Sequence, residues 1–395
     1  MSPLCKHITT LIKLPSIIQA PMAGVSTIEL AAAVTNAGGL GSIPVSSINL
    51  KTDFPTFAKT LYNYSKLLNN HLNSDKLMVN LNFFCHKIEN NPTSNEISNW
   101  CNLYNKTLPN LNEKIDSKIS DFANGNISFK EWETEENDSV LSKLFSFWED
   151  HPELIPNVVS FHFGYPDKKS LIRFQHLGIK VLVSVTYIYE PAKIISTYDT
   201  GLINGLVLQG SEAGGHHSNI RNEESNISTK RLFEYSIKEV KNLDIKMDLI
   251  PAGGIMTAED VQYYINSGAS AVQMGSIFLA TNGSNAKPYF EKLISNSNLN
   301  SDKLPETIVT NLVSGKSART IKTPFIEKLI ENDNELGSEP LPPYGYRYKA
   351  YKDLKKKEKD NIEMDLDFHL AGANYAKMSL NLTPEEIIKE VTKYL

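Results

Sequence analysis

Short continuous apolar runs recur along the chain, and most are followed by a stretch with apolar residues at helical spacing. Eight stand out: IIQA (Ile17–Ala20), LGSI (Leu40–Ile43), LMVNL (Leu77–Leu81), VVSF (Val158–Phe161), KVLVSV (Lys180–Val185), GLVL (Gly205–Leu208), DLIPA (Asp248–Ala252) and AVQM (Ala271–Met274). They do not alternate apolar with polar, which is the habit of parallel strands buried on both faces. Helical patterns fill the gaps. STIELAAAVTNAG opens on a Ser/Thr cap and stops at Gly38. TAEDVQYYINSGA has Thr257 as N-cap, Asp260 at the capping-box position and Gly268 at its end. Repeated βα units of this kind predict an α/β fold, a (β/α)8 TIM barrel, with a doubly wound open sheet as the alternative.

One interval breaks the rhythm. Between the third and fourth runs lie Phe83 to Asn157, with helical patterns in NEISNWCNLYNKTL and DSVLSKLFSFWEDHPEL. This reads as a helical insertion at about 84–157 within a barrel domain spanning 1–282. Residues 283–395 form a C-terminal α/β lobe that closes the substrate pocket: a helix near Lys287 to Ser295, the Pro-rich PLPPYGYRYKAYKD, and a last helix from Pro384 to Tyr394.

Composition changes this picture little. The 395 residues are 41% hydrophobic and 22% charged, ordinary for a soluble globular protein. A net charge of -5 gives no basic field to attract nucleic acid. The basic run KDLKKKEK is broken by acids and reads as a solvated helix face. Three cysteines (Cys5, Cys85 and Cys101) make no disulfide framework and no zinc-ligand spacing, which fits a reducing, cytoplasmic setting. No run approaches the length of a membrane span or a secretory h-region. Asn, Lys, Ile and Ser are heavily used in Leu67 to Ser142 and Ser295 to Ser301, which reads as compositional bias.

In a barrel, residues just past the strand C-termini form the active face. The unusual residues fall there. After the first strand comes APMAGVS, after the third Asn80-Leu81-Asn82, after the fourth HFG with His162, and after the sixth QGSEAGGHH. Gly253 and Gly254 follow the seventh strand; Gly275 and Ser276 follow the eighth. Paired glycines at adjacent strand ends let backbone N–H groups approach a phosphate. Gly214 and Gly215 permit close approach to a planar ligand and aim His216 into the mouth, where a neutral imidazole accepts a proton near pH 7. His217 is expected at the surface. The remaining histidines, His86 among them, lack such context.

QAPMAGVSTIELAAAVTNAGGLGSIPV, VSFHFG, QGSEAGGHH, IPAGGIMTAEDVQYYINSGASAVQMGS and SGKSART together resemble the nitronate monooxygenase family, class I, once called 2-nitropropane dioxygenases. The likeness covers most of 15–380 and is poorest in Phe83 to Asn157. It implies an FMN-dependent barrel without a metal. FMN contacts map onto Pro21, Met22 and Gly24 beside the ring, then Asn80, Gln209, Gly214, Gly253, Gly254, Gln273, Gly275 and Ser276. The catalytic histidine maps onto His216, and a second substrate-side histidine onto His162. A Tyr, Tyr, Lys set at four-residue steps maps onto Tyr344, Tyr348 and Lys352, which would share one helix face. Pro342 and Pro343 place the start of any such helix at or after them. Two departures stand out. His217-Ser218-Asn219 replaces the family's glycine-containing sequence after the histidine, and HLAGANYAK replaces its usual Trp-Ala-Gly-Gln-Gly near the end.

The resemblance implies oxidation of alkyl nitronates such as propionate 3-nitronate by molecular oxygen. One electron would pass to the flavin, a semiquinone would reduce oxygen, and carbonyl compounds and nitrite would result. The partners implied are the nitronate and oxygen, on a monomer or homodimer. The alternatives are an FMN-dependent NAD(P)H reductase of quinones or enoyl thioesters, and a flavin-binding protein without turnover. No GxGxxG follows the first strand, which argues against a Rossmann NAD site.

Overall fold

A computed structural model describes residues 14–69, 75–109, 111, 114–116, 122–134, 138–190, 193–194, 201–218, 225–243, 245–300, 303–358 and 365–395. Cys5, His7, His71 and Asn219 lie outside them, as does the end of the basic run at Lys359. The strands are β1 (Ile17–Gln19), β2 (Ser42–Pro44), β3 (Leu77–Phe84), β4 (Pro156–His162), β5 (Lys180–Val185), β6 (Gly205–Gln209), β7 (Gly215–His216), β8 (Asp248–Ala252), β9 (Val272–Met274), β10 (Thr307–Thr310) and β11 (Ala318–Ile321). Eight of them form one parallel sheet in the order β1-β9-β8-β6-β5-β4-β3-β2. These are the eight apolar runs of the sequence. A parallel bridge between Ile18 and Leu40 joins the two ends. There Gln19 N–H donates to the Leu40 carbonyl and Leu40 N–H to that of Ile17, each at 2.9 Å. The sheet closes on itself, so the barrel holds and the open sheet does not.

The apolar runs are continuous because each strand is buried on both faces. Ile18, Val158, Leu182, Val207 and Ile250 pack together inside the barrel. Their chain neighbours Ile17, Val159, Val181, Leu206 and Leu249 face the surrounding helices. The period of two survives, but both faces are apolar. The helix Ile28–Asn36 is capped by Thr27, and Ala258–Asn266 carries the expected Thr257/Asp260 capping box.

The remaining chain builds a second core. Trp100, Leu103 and Tyr104 of the helix Ser94–Thr107 pack with Phe325, Ile326 and Leu329 of Pro324–Glu335, and with Ala350, Tyr351 and Leu354 of Tyr346–Glu358. The insertion therefore divides. Its first helix joins the C-terminal segment, whereas Leu144, Phe145 and Trp148 of Asp138–Asp150 belong to the barrel core. The final helix Pro384–Val391 returns to the barrel and packs on Ile28–Asn36. The cores thus cut the chain along lines other than 1–282 and 283–395. β7, β10 and β11 form a small antiparallel sheet in the order β10-β11-β7. Among the described residues no helix is long and apolar enough to cross a membrane.

Candidate active site

The inward positions change character along each strand. One step of two residues beyond the apolar layer stand Asn82, Ser160, Ser184, Gln209 and Gln273, which line a cavity of about 510 Å³ at the strand C-termini. Pro21, Met22 and Gly24 form one wall; Gly214, Gly253 and Gly254 form part of another, with Gly275 and Ser276 beside them. His162, His216, Tyr344, Tyr348 and Lys352 line the same space. Asn80 does not. It is wholly buried and donates through Nδ2 to Ser42 Oγ at 2.9 Å. Asn80 and Asn82 share a face of β3, but Asn80 sits one inward layer deeper, roughly 6.6 Å from the mouth position.

At one end the cavity offers backbone donors. Among the described residues, the N–H groups of Gly254, Gly275 and Ser276 have no protein acceptor, whereas that of Gly253 belongs to the β8–β9 ladder. Converging unpaired amides at two adjacent strand ends suit a phosphate, so the residues present fit the phosphate of an FMN. The segment Leu370–Tyr375 roofs this end. Gly372 N–H donates to Ser276 Oγ at 2.8 Å, which leaves the serine's own proton free to donate, and Asn374 Nδ2 donates to the Gly254 carbonyl at 2.7 Å. Leu370, Gly372, Asn374 and Tyr375 all line the cavity. None was selected from sequence, because HLAGANYAK carries no residue type that announces a site.

The histidine loop is clamped from several directions. Gln209 Nε2 donates to the His216 carbonyl at 3.0 Å, and Gln209 Oε1 accepts from Ser218 N–H at 2.7 Å. His162 Nε2 donates to the same carbonyl at 3.0 Å. β7 pairs with β11, with His216 opposite Ala318. His216 Nε2 lies 2.9 Å from Ser314 Oγ. A Cβ at Gly214 would stand 2.4 Å from Gly372 N, so the closing segment demands glycine there more directly than a planar ligand does. His217 corrects an expectation. It is 3% exposed, and its Nε2 lies 3.1 Å from the Ala213 carbonyl. Successive residues of an extended chain point to opposite sides, so His216 faces the cavity and His217 faces the protein.

Tyr344 also differs from expectation. The helix begins at Tyr346, so Tyr344 sits in the preceding turn, while Tyr348 and Lys352 share the helix face. Lys352 Nζ lies 3.9 Å from the centre of the Tyr348 ring, and the His216 ring stands 5.8 Å from Tyr344 and 5.7 Å from Tyr348. Asn126 and Ile127, from the insertion, line the cavity opposite.

Burial sets the charge states. It pulls His216 down to about 3, helped by His162, Lys316 and Lys352. It pulls His162 to about 4. His86, given no role from sequence, is 3% exposed, stands edge-on to Tyr344 and is held at about 4 by burial and Lys316. Burial lowers Lys352 and brings Lys316, which sits over the Phe163 ring at 4.9 Å, to about 8. It raises Tyr344 and Tyr348, so both phenols keep their protons. Neutral imidazoles, neutral phenols and lysines make a site that favours an anion.

Fold and cavity together define a barrel protein with an anion-favouring small-molecule site at its C-terminal mouth. Comparison with known proteins narrows that class. The family model described as nitronate monooxygenase matches residues 6–393. A provisionally named nitronate monooxygenase of Saccharomyces cerevisiae is 36% identical over 386 residues, covering 94% of this chain and 88% of its own length. A nitronate monooxygenase of Pseudomonas aeruginosa is 29% identical, covering 96% and 95%. The solved structure of a nitroalkane oxidase from Streptomyces ansochromogenes has a TM-score of 0.70 at 23% identity, covering 96% of this chain and 95% of its own, and shares the fold. The chain belongs to the nitronate monooxygenase family and is an oxidoreductase.

Proposed function

We propose that this chain oxidises alkyl nitronates, propionate 3-nitronate among them, with molecular oxygen to carbonyl compounds and nitrite, using FMN as cofactor. One observation carries the reading: His216, Tyr344, Tyr348 and Lys352 surround the same cavity that the unpaired amides of Gly254, Gly275 and Ser276 border. Gly253, Gly254, Gly275 and Ser276 would hold the FMN phosphate, and Pro21, Met22 and Gly24 would flank its ring. When bound, FMN supplies the redox chemistry, accepting electrons from the substrate and passing them to oxygen.

The chain's residues bind and orient. The Lys352 ammonium attracts the anion and holds a second, carboxylate charge where the substrate has one. The protonated hydroxyls of Tyr344 and Tyr348 are available to donate to nitronate oxygens. His216, uncharged at neutral pH, is available to accept a proton from the carbon of a neutral nitroalkane. Phe84, Val207 and Leu279 add apolar lining that displaces water. Oxygen uptake with propionate 3-nitronate, set beside anaerobic NADH oxidation with a quinone, tests the reading. Nitronate-dependent uptake with release of nitrite is the expected result. NADH bleaching of the flavin without nitronate-dependent uptake would make the protein a reductase instead.

A further inference from the structure

SGKSART (Ser314–Thr320) is the one stretch of the family resemblance to which no function was attached. It reaches the site through Ser314, which is wholly buried and 98 residues from His216 in the chain. The turn that carries it is rigid. Gly315 N–H donates to the Asn311 carbonyl at 2.8 Å, and a Cβ on Gly315 would stand 2.8 Å from Tyr344 N. The turn therefore seats both the Ser314 hydroxyl and the backbone of Tyr344.

A proton inventory follows. A serine hydroxyl has one proton to give and an oxygen that can accept. Ser314 Oγ lies 3.0 Å from the Lys316 carbonyl, which can only accept, and receives Lys316 N–H at 3.3 Å. With its proton on that carbonyl, the hydroxyl meets His216 Nε2 at 2.9 Å as an acceptor. Nε2 must then carry the imidazole proton. Nδ1 is the ring nitrogen left without a hydrogen bond among the described residues, on a side chain that lines the cavity. The rings of Phe163, Tyr344, Tyr348 and Phe368 stand edge-on to the His216 imidazole at 5.7–6.2 Å, so it has little freedom to turn over and exchange its two nitrogens. We propose that Ser314 is a positioning residue: it takes the Nε2–H of His216 and fixes the neutral tautomer whose Nδ1 lone pair opens on the cavity. A neutral His216 then offers substrate an acceptor, and it can donate from Nδ1 only after taking up a proton.

The consequence for turnover rests on the proposed function; the tautomer does not. The test is the ¹⁵N imidazole spectrum of ring-labelled full-length protein as purified, near neutral pH, with the His216→Asn variant assigning the signals. Wild type should show the His216 proton on Nε2, protected from exchange with water. Ser314→Thr, which keeps the hydroxyl, should match it, and Ser314→Ala should lose the protection and distribute the proton over both nitrogens. In oxygen uptake with neutral 2-nitropropane, whose carbon carries the proton that Nδ1 would accept, Ser314→Ala should lower kcat/KM about five-fold, the size of one ordinary hydrogen bond, and Ser314→Thr should restore most of it. A wild-type proton on Nδ1 overturns the proposal, even if neither variant folds. So does a Ser314→Ala protein whose Nε2–H stays protected. A wild type that consumes no nitronate overturns the proposed function instead, and the spectrum still decides on Ser314.

Discussion

If the proposed function holds, Lys352 is the residue whose role would separate one substrate from another. Its ammonium lies against the Tyr348 ring in the cavity wall, with burial lowering its affinity for protons. Lys352→Met should raise KM for propionate 3-nitronate far more than for propyl-2-nitronate, because a carboxylate held equally in ground and transition states contributes to binding alone. A hydrogen bond to a charged group is worth roughly 1.5–3 kcal/mol, about a ten- to hundred-fold loss in kcat/KM. The wild-type preference for the carboxylate should fade as pH rises through a value below that of an ordinary lysine. Equal losses on both substrates would mean that Lys352 meets the nitronate itself. His217 carries a different prediction. With its ring buried against Ala213, His217→Ala should cost about 1–3 kcal/mol of stability. His216→Asn should instead lower turnover and leave the melting temperature near wild type at neutral pH. Thermal melts beside kcat separate the two, and the reverse pattern would exchange their roles. His216 was legible from sequence through its place behind Gly-Gly at a strand end. His217 was not, because the strand edge that holds it, through Ser317, lies a hundred residues further along. Ser314 was hidden for the same reason.

At the scale of elements, the parallel strands were legible because burial on both faces writes itself as uninterrupted apolar runs. β10 and β11 were not: TIVT and ARTI are short, half polar, and recognisable only once paired. The helix that carries Lys352 was expected to hold Tyr344 as well, and Gly345 is the reason it does not. Its φ of +95° ends the turn, its carbonyl receives Gly125 N–H at 3.3 Å, and a Cβ there would stand 2.2 Å from Asn124 Oδ1. Gly345 thus joins the insertion to the Tyr346–Glu358 helix beside the cavity. Gly345→Ala should lower stability by roughly 1–2 kcal/mol for the left-handed backbone alone. It should also raise KM as Tyr344, Tyr348 and Lys352 shift. Gly337→Ala is the control: φ is +85° and no atom lies within 4 Å of the added Cβ. The control should show a similar stability loss and an unaltered KM. If both variants leave KM alone, the junction does not position the substrate wall.

The whole molecule holds its cavity between two cores, and three histidines, His86 buried and His162 and His216 half-buried in the cavity wall, make that arrangement sensitive to acid. Burial, aided by the Lys316 charge, keeps His86 and His162 at about 4 and His216 at about 3, against 6.5 for an unperturbed histidine. In the folded chain they are neutral across a range where the unfolded chain takes up protons. Stability is therefore present in full above about pH 6.5. It is lost as pH falls below that value, at up to about 1.4 kcal/mol per pH unit for each histidine, until the folded groups titrate near pH 3–4. Three such groups acting together would remove much of an ordinary domain's 5–15 kcal/mol within roughly two pH units. Denaturant titrations of the protein freed of cofactor, from pH 7.5 to 4.5, should show a steep decline. His216→Asn should reduce its slope by about one proton, because asparagine does not titrate. An anion in the cavity favours the protonated imidazoles, so a saturating anionic ligand should flatten the same curve. A flat profile in the ligand-free protein would mean that the histidines are reached by water and charge without cost, and would remove the basis for treating His216 as neutral in the resting site.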